Sequence, residues 1–147
     1  GSILGYIIEL FFRRIVGGKW VNPGFLIGPY LPIYGFGLCT LTAIYLIFSK
    51  LTVNAFLIIL LMGLCMTIIE LIGGLLFMKA GAVKLWDYSD LKWNYKGIIC
   101  PQFSLIWTLL GAIYYYFFAD SVISALVWFS NNLSFSFILG IFFGCFA

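Results

Sequence analysis

The sequence predicts an all-α protein, a polytopic transmembrane bundle of about five helices that contains a parallel two-helix repeat. Three observations carry that prediction. Of the 147 residues, 64% are hydrophobic and 9% are charged, where a water-facing surface normally needs about 25% charged residues; mean hydropathy is +1.14. Apolar stretches close to spanning length, roughly 20 residues, alternate with short polar connections. Finally, Lys92, Trp93, Gly97, Phe103, Ile106 and Trp107 fall on Lys19, Trp20, Gly24, Tyr30, Ile33 and Tyr34 at one fixed spacing of 73 residues. A single integral membrane domain, 1–147, follows, with repeat one at 3–48, repeat two at 55–119 and an extra C-terminal helix at 122–147.

The first segment, 3–16, is barely long enough to span, and Arg13 and Arg14 snorkel to its end. No cleavable signal peptide is visible before it; the start at Gly1 and Ser2 reads either as an added scar or as a truncation point, the second of which would make the native first helix longer. The second segment begins irregularly near Phe25 and runs to Phe48, and a turn at 49–54 leads into the cleanest apolar run, 55–78. A polar loop, 79–96, carries Trp86, Tyr88, Trp93 and Tyr95, amphipathic rings expected at headgroup level. The fourth segment runs over 98–119, Asp120 and Ser121 are expected to make a tight outer turn, and the fifth segment is interrupted by Ser130, Asn131, Asn132 and Ser134.

Charge placement orients these segments. Arg13, Arg14 and Lys19 lie in the first loop, and Lys79, Lys84, Lys92 and Lys96 in the third. Short loops rich in Lys and Arg resist translocation, so both face the cytoplasm, with the N-terminus outside and the C-terminus inside. They read as topology signals that also touch anionic lipid, not as a nucleic-acid surface. Cys39, Cys65, Cys100 and Cys145 stand singly in or beside apolar segments, which argues for reduced thiols over disulfides or zinc, and the absence of histidine removes imidazole ligation. Neither a metal nor a cofactor is expected.

Both repeats contain Ile-Ile-Glu-Leu, at 7–10 and 68–71. A carboxylate at the bilayer centre costs about 3 kcal/mol, which a partner or a function must offset. Glu70 precedes Lys79 by nine residues, about 13 Å along a helix, so it lies deep, either as a hydrogen-bonded strut or as a site residue. Glu9 lies one turn before Arg13, the favourable order for an intrahelical ion pair, and is a structural pair or a site residue. The second copy places 12 more residues than the first between its acid and its Trp, a loop insertion.

Pro29 and Pro32 cannot donate backbone hydrogen bonds, so a helix there leaves the carbonyls of Phe25 and Gly28 unpartnered. Either a broken helix built on Gly24, Gly28, Pro29, Pro32 and Gly35 lines a cavity, or the helix simply starts with a kink. Pro101 alone plays this part in the second copy. The substrate or ion site expected from these features comprises Glu9, Glu70, Asn22, Tyr30, Tyr34 and Arg13, with Trp86, Asp87, Tyr88, Ser89 and Trp93 in the cytoplasmic loop. Gly140 and Gly144 form a GxxxG that could pair helices or protomers; Asn131 and Asn132 are expected to bond neighbouring helices or face a cavity. No catalytic residue is assigned, since Walker, nucleophile-elbow and HExxH motifs are all missing.

The strings GFLIGPYLPIYGFG and WDYSD followed by GIICPQFSLIW, with an acid in the first segment, resemble the bacterial membrane family described as Putative ABC-transporter type IV, or CmpB-like. The resemblance runs from Gly5 to Phe118 and implies Glu9, Asn22, Gly24, Gly28, Pro29, Pro32, Tyr34, Gly35, Glu70, Asp87, Tyr88 and Ser89 as motif positions. It implies the bacterial cytoplasmic (inner) membrane, and an ATPase, where one is used, on a separate chain. The expected function is a permease-like or channel protein, a homo-oligomer or part of a larger complex in the lipid bilayer, with the glutamates and broken helix lining a cavity. Two alternatives stay open: an enzyme acting on a lipid or lipid-linked group, and a structural or sensory subunit docked through its cytoplasmic loop.

Overall fold

Two prolines start helices in this chain. Pro32 and Pro101 each occupy the first turn of a helix, where the missing N–H has no intrahelical acceptor to serve and the fixed φ suits the helix. Pro32 therefore opens a helix, while Pro29, Gly24, Gly28 and Tyr30 of the expected broken-helix motif lie outside the described residues. The computed structural model describes residues 2–20, 22, 31–51, 53–79 and 86–144. Its helices are α1 (Ser2–Gly17), α2 (Pro32–Phe48), α3 (Ala55–Lys79), α4 (Pro101–Ile113), α5 (Ala119–Asn131) and α6 (Leu133–Gly144), with a π segment, Tyr114–Phe118, joining α4 to α5. No strand occurs among the described residues; Tyr95 and Ile99 form an isolated bridge.

Helix α3 is the axis of the assembly, packing against both α2 and α4, while α1 reaches the bundle through α2 and α6 through α5. Leu41 and Ile44 of α2 meet Ile58, Met62 and Met66 of α3, closed by Tyr114 and Ala119. Small residues permit these approaches, as in other helix pairs without a hydrophobic drive between them. A Cβ on Gly63 of α3 would run into Thr108 of α4, and one on Gly35 of α2 would meet Ser2 of α1.

Large apolar side chains also cover the outside, among them Leu60, Leu64, Leu105, Leu109 and Phe117. A soluble monomer rarely exposes so continuous an apolar surface. Two helices, Ala55–Lys79 and the continuous run Pro101–Asn131, are long and apolar enough to cross a bilayer. The surrounding solvent is lipid, and the protein is a membrane protein.

The expected turn at Asp120 and Ser121 is not there. The chain continues helically through both, because nothing between Tyr114 and Asn131 is a Gly or Pro and the π segment absorbs the local distortion. That segment places Tyr114 against Thr42, with 2.8 Å between hydroxyls, and Tyr45 of α2 donates to Asp120 at 2.8 Å. The break falls at Asn132 instead. Its side-chain amide donates to the Trp128 carbonyl, and its own carbonyl accepts from Phe135 and Ser136. Asn132 thus ends one helix and begins the next, its side chain bonding back to its own helix where the sequence suggested a neighbouring helix or a cavity. A Cβ on Gly140 meets nothing within 4 Å, so this part of the GxxxG supports no close contact inside the chain.

Candidate functional site

Helix periodicity brings Glu9 of α1 and Glu70 of α3 to one cavity. It occupies about 470 Å³, within the range of small-molecule pockets. Its wall includes Glu9 and Arg13 of α1, Pro32, Tyr34, Phe36 and Thr40 of α2, Glu70, Gly73 and Phe77 of α3, Trp86 and Tyr88 of the loop, and Trp107 of α4. The lining is mostly carbon, with a few convergent polar groups.

Glu70 is 3% exposed, and its two oxygens have separate donors. Tyr88 donates its hydroxyl to Oε1 at 2.8 Å, and Trp107 donates its indole N–H to Oε2 at 3.1 Å. Both donors are neutral. Burial, followed by the adjacent Glu70 carboxylate, holds the Tyr88 phenol well above its ordinary value, so Tyr88 keeps the proton it donates. Glu9 stands nearer the surface. Arg13 Nε donates to its Oε1 at 3.1 Å, the expected ion pair, and Tyr34 donates to its Oε2 at 2.9 Å. The Tyr34 and Trp107 rings meet edge to face, with centroids 6.3 Å apart.

A folded loop puts Tyr88 in place. Tyr88 N–H donates to the Gly97 carbonyl at 2.8 Å, Tyr95 N–H to Ile99 at 2.9 Å, and Asn94 both donates to Leu91 and accepts from Gly97. Gly97 takes a φ of 69°, a left-handed conformation that glycine adopts without steric cost. Trp86 Nε1 donates to the Ile98 carbonyl at 2.8 Å, and the Tyr88 ring stacks on Phe103 with centroids 4.2 Å apart. Trp86 and Tyr88 consequently turn inward to the cavity. Trp93, 87% exposed, and Tyr95 face outward.

Among the residues assigned from sequence, Glu9, Arg13, Pro32, Tyr34, Glu70, Trp86 and Tyr88 come together at the cavity. Asn22 is exposed and absent from the described wall, and Gly35 packs on Ser2 at the α1–α2 contact. Asp87 closes an Asx-type turn, accepting from the backbone and hydroxyl of Ser89, and both are exposed. Trp107, Thr40 and Phe36 are wall residues that the sequence assignment omitted. For Trp107 a signal existed, since it aligns with Tyr34 in the repeat.

The three described cysteines, Cys39, Cys65 and Cys100, are free thiols. Among the described residues, no cluster of three or more His, Cys, Asp or Glu side chains could hold a metal ion. A family model described as Putative ABC-transporter type IV matches residues 1–147, the whole chain. Neither a curated protein nor a solved structure matches the chain.

Proposed function

Because the chain belongs to the family described as Putative ABC-transporter type IV, we propose that it is a permease-like transport protein whose solute site is the cavity between Glu9 and Glu70. The observation that carries this reading is the paired treatment of the two acids. Each carboxylate accepts from an aromatic donor on the next helix: Glu9 from Tyr34 and Glu70 from Trp107. Those donors occupy matching positions 73 residues apart, and the acids themselves are 61 apart. The contacts Ser2–Gly35 and Gly63–Thr108 obey the same two spacings.

Such matching is what two hairpins related by an axis along the membrane normal produce, and repeats of this kind occur in transporters with a site at the repeat interface. The second hairpin differs through its insertion, from which Tyr88 supplies a neutral donor where the first hairpin uses Arg13. Both cation-bearing loops are placed in the cytoplasm by their Lys and Arg content. The run Pro101–Asn131 then returns outward, and α6 begins the final crossing inward. An intramembrane acid with no cationic hydrogen-bond partner among the described residues suits coupling to a proton or a cation, and a separate chain supplies any ATP hydrolysis.

Native mass spectrometry of the gently purified protein tests the reading. A small molecule or ion retained by the wild type and lost in Glu70→Gln is expected. Equal retention in both, or equal solute flux in proteoliposomes carrying either protein, would refute it.

A further inference from the structure

We infer that the cavity takes a monovalent, largely apolar organic cation, of which a quaternary ammonium carrying an aromatic or alkyl group is the type. The inference rests on the proposed solute site and names the class of its occupant. Charge comes first. Among the described wall residues two are acids and one is a base, and that base, Arg13, is paired with Glu9. Among the described residues, the hydrogen-bond donors to Glu70 are the neutral groups of Tyr88 and Trp107. An ionised carboxylate has about four acceptor positions, so two neutral hydrogen bonds leave both the charge and part of the acceptor capacity unmet. No cationic side chain among the described residues bonds Glu70, and the cavity gives a single positive charge access to it.

The wall decides what kind of cation that is. Hard metal ions need six or more oxygens or retain their water, whereas this wall is carbon-rich and no metal-ligand cluster exists among the described residues. Aromatic side chains supply the remaining affinity: Tyr34, Phe36, Phe77, Trp86, Tyr88 and Trp107 surround the space. Rings of this type attract a desolvated organic cation through their quadrupoles, and their hydrocarbon buries its apolar substituents. An anion meets repulsion from Glu70, and a neutral solute leaves the charge of Glu70 unmatched.

Tryptophan fluorescence tests the assignment in the full chain held in nanodiscs, since Trp86 and Trp107 line the wall. The probes are benzyltrimethylammonium, its neutral carbon isostere neopentylbenzene, and the anion benzenesulfonate, with empty nanodiscs as blank. The cation is expected to give a saturable change and to bind about tenfold or more tightly than either of the others. Glu70→Gln is expected to lose about tenfold in cation affinity while keeping the wild-type helix content. Equal binding of the neutral isostere, preference for the anion, or undiminished cation affinity in folded Glu70→Gln overturns the cation assignment and leaves the solute site standing. Failure of all three probes to bind overturns both. The comparison of probes uses wild-type protein, so it decides the question even where Glu70→Gln does not fold.

Discussion

Tyr88→Phe isolates the contact through which the inserted loop meets Glu70. The ring stays stacked on Phe103, whose centroid is 4.2 Å away, and only the hydroxyl that donates to Glu70 at 2.8 Å is lost. Hydrogen bonds between membrane helices average about 0.6 kcal/mol, because the reference state in lipid also finds partners. Glu70 has less recourse. It is 3% exposed, Trp107 already holds its other oxygen, and an unsatisfied buried acceptor costs about 1–3 kcal/mol. The expected destabilisation is therefore about 1–3 kcal/mol.

The assay is reversible unfolding in mixed micelles by added denaturing detergent, run as a double-mutant cycle of Tyr88→Phe with Glu70→Leu and with exposed Tyr95→Phe as the control. The cycle removes the effects that each substitution has alone. A coupling below about 0.3 kcal/mol, within the usual additivity error, would refute the claim that the loop is fastened to the cavity through this hydrogen bond.

Three further outcomes follow from the packing. Gly63→Val is expected to destabilise the bundle by about 1–3 kcal/mol through overpacking against Thr108, read in the same unfolding assay; an unchanged midpoint would mean that α3 and α4 are not this close. Loss of the Arg13–Glu9 pair in Arg13→Gln should contribute about 0.3–0.5 kcal/mol, since the pair is partly open, at 32% and 24% exposure. That small cost should shrink further with added salt. Trp93→Ala should leave stability within about 0.5 kcal/mol of wild type, as its side chain is 87% exposed; a larger loss would show that the loop packs on something through this ring.

Much of the architecture could be read from residue types alone. Composition named the bilayer as solvent, since so few charged residues cannot cover a water-facing surface. The periodic acids singled out Glu9 and Glu70, and the spacing of Glu9 and Arg13 foretold their ion pair because both lie on one helix, where distance follows from sequence separation. Helix ends were harder. Asp120 and Ser121 look like a turn in one dimension, but without a Gly or Pro the helix passes through them, and the actual break depends on Asn132 capturing the Trp128 carbonyl.

Which side chains share the cavity was decided only in three dimensions. Trp86 and Tyr88 belong, as a string, to an aromatic loop of the kind found at lipid headgroups. A set of backbone bonds around Asn94 and Gly97 turns them inward. Trp107 aligned with Tyr34 in the sequence, yet its role as the second donor to Glu70 required α4 to lie against α3. Local composition can specify a solvent and a helix. It does not specify the partner of a buried carboxylate, because that partner is chosen by how the helices and the loop pack, across separations of 18 and 37 residues.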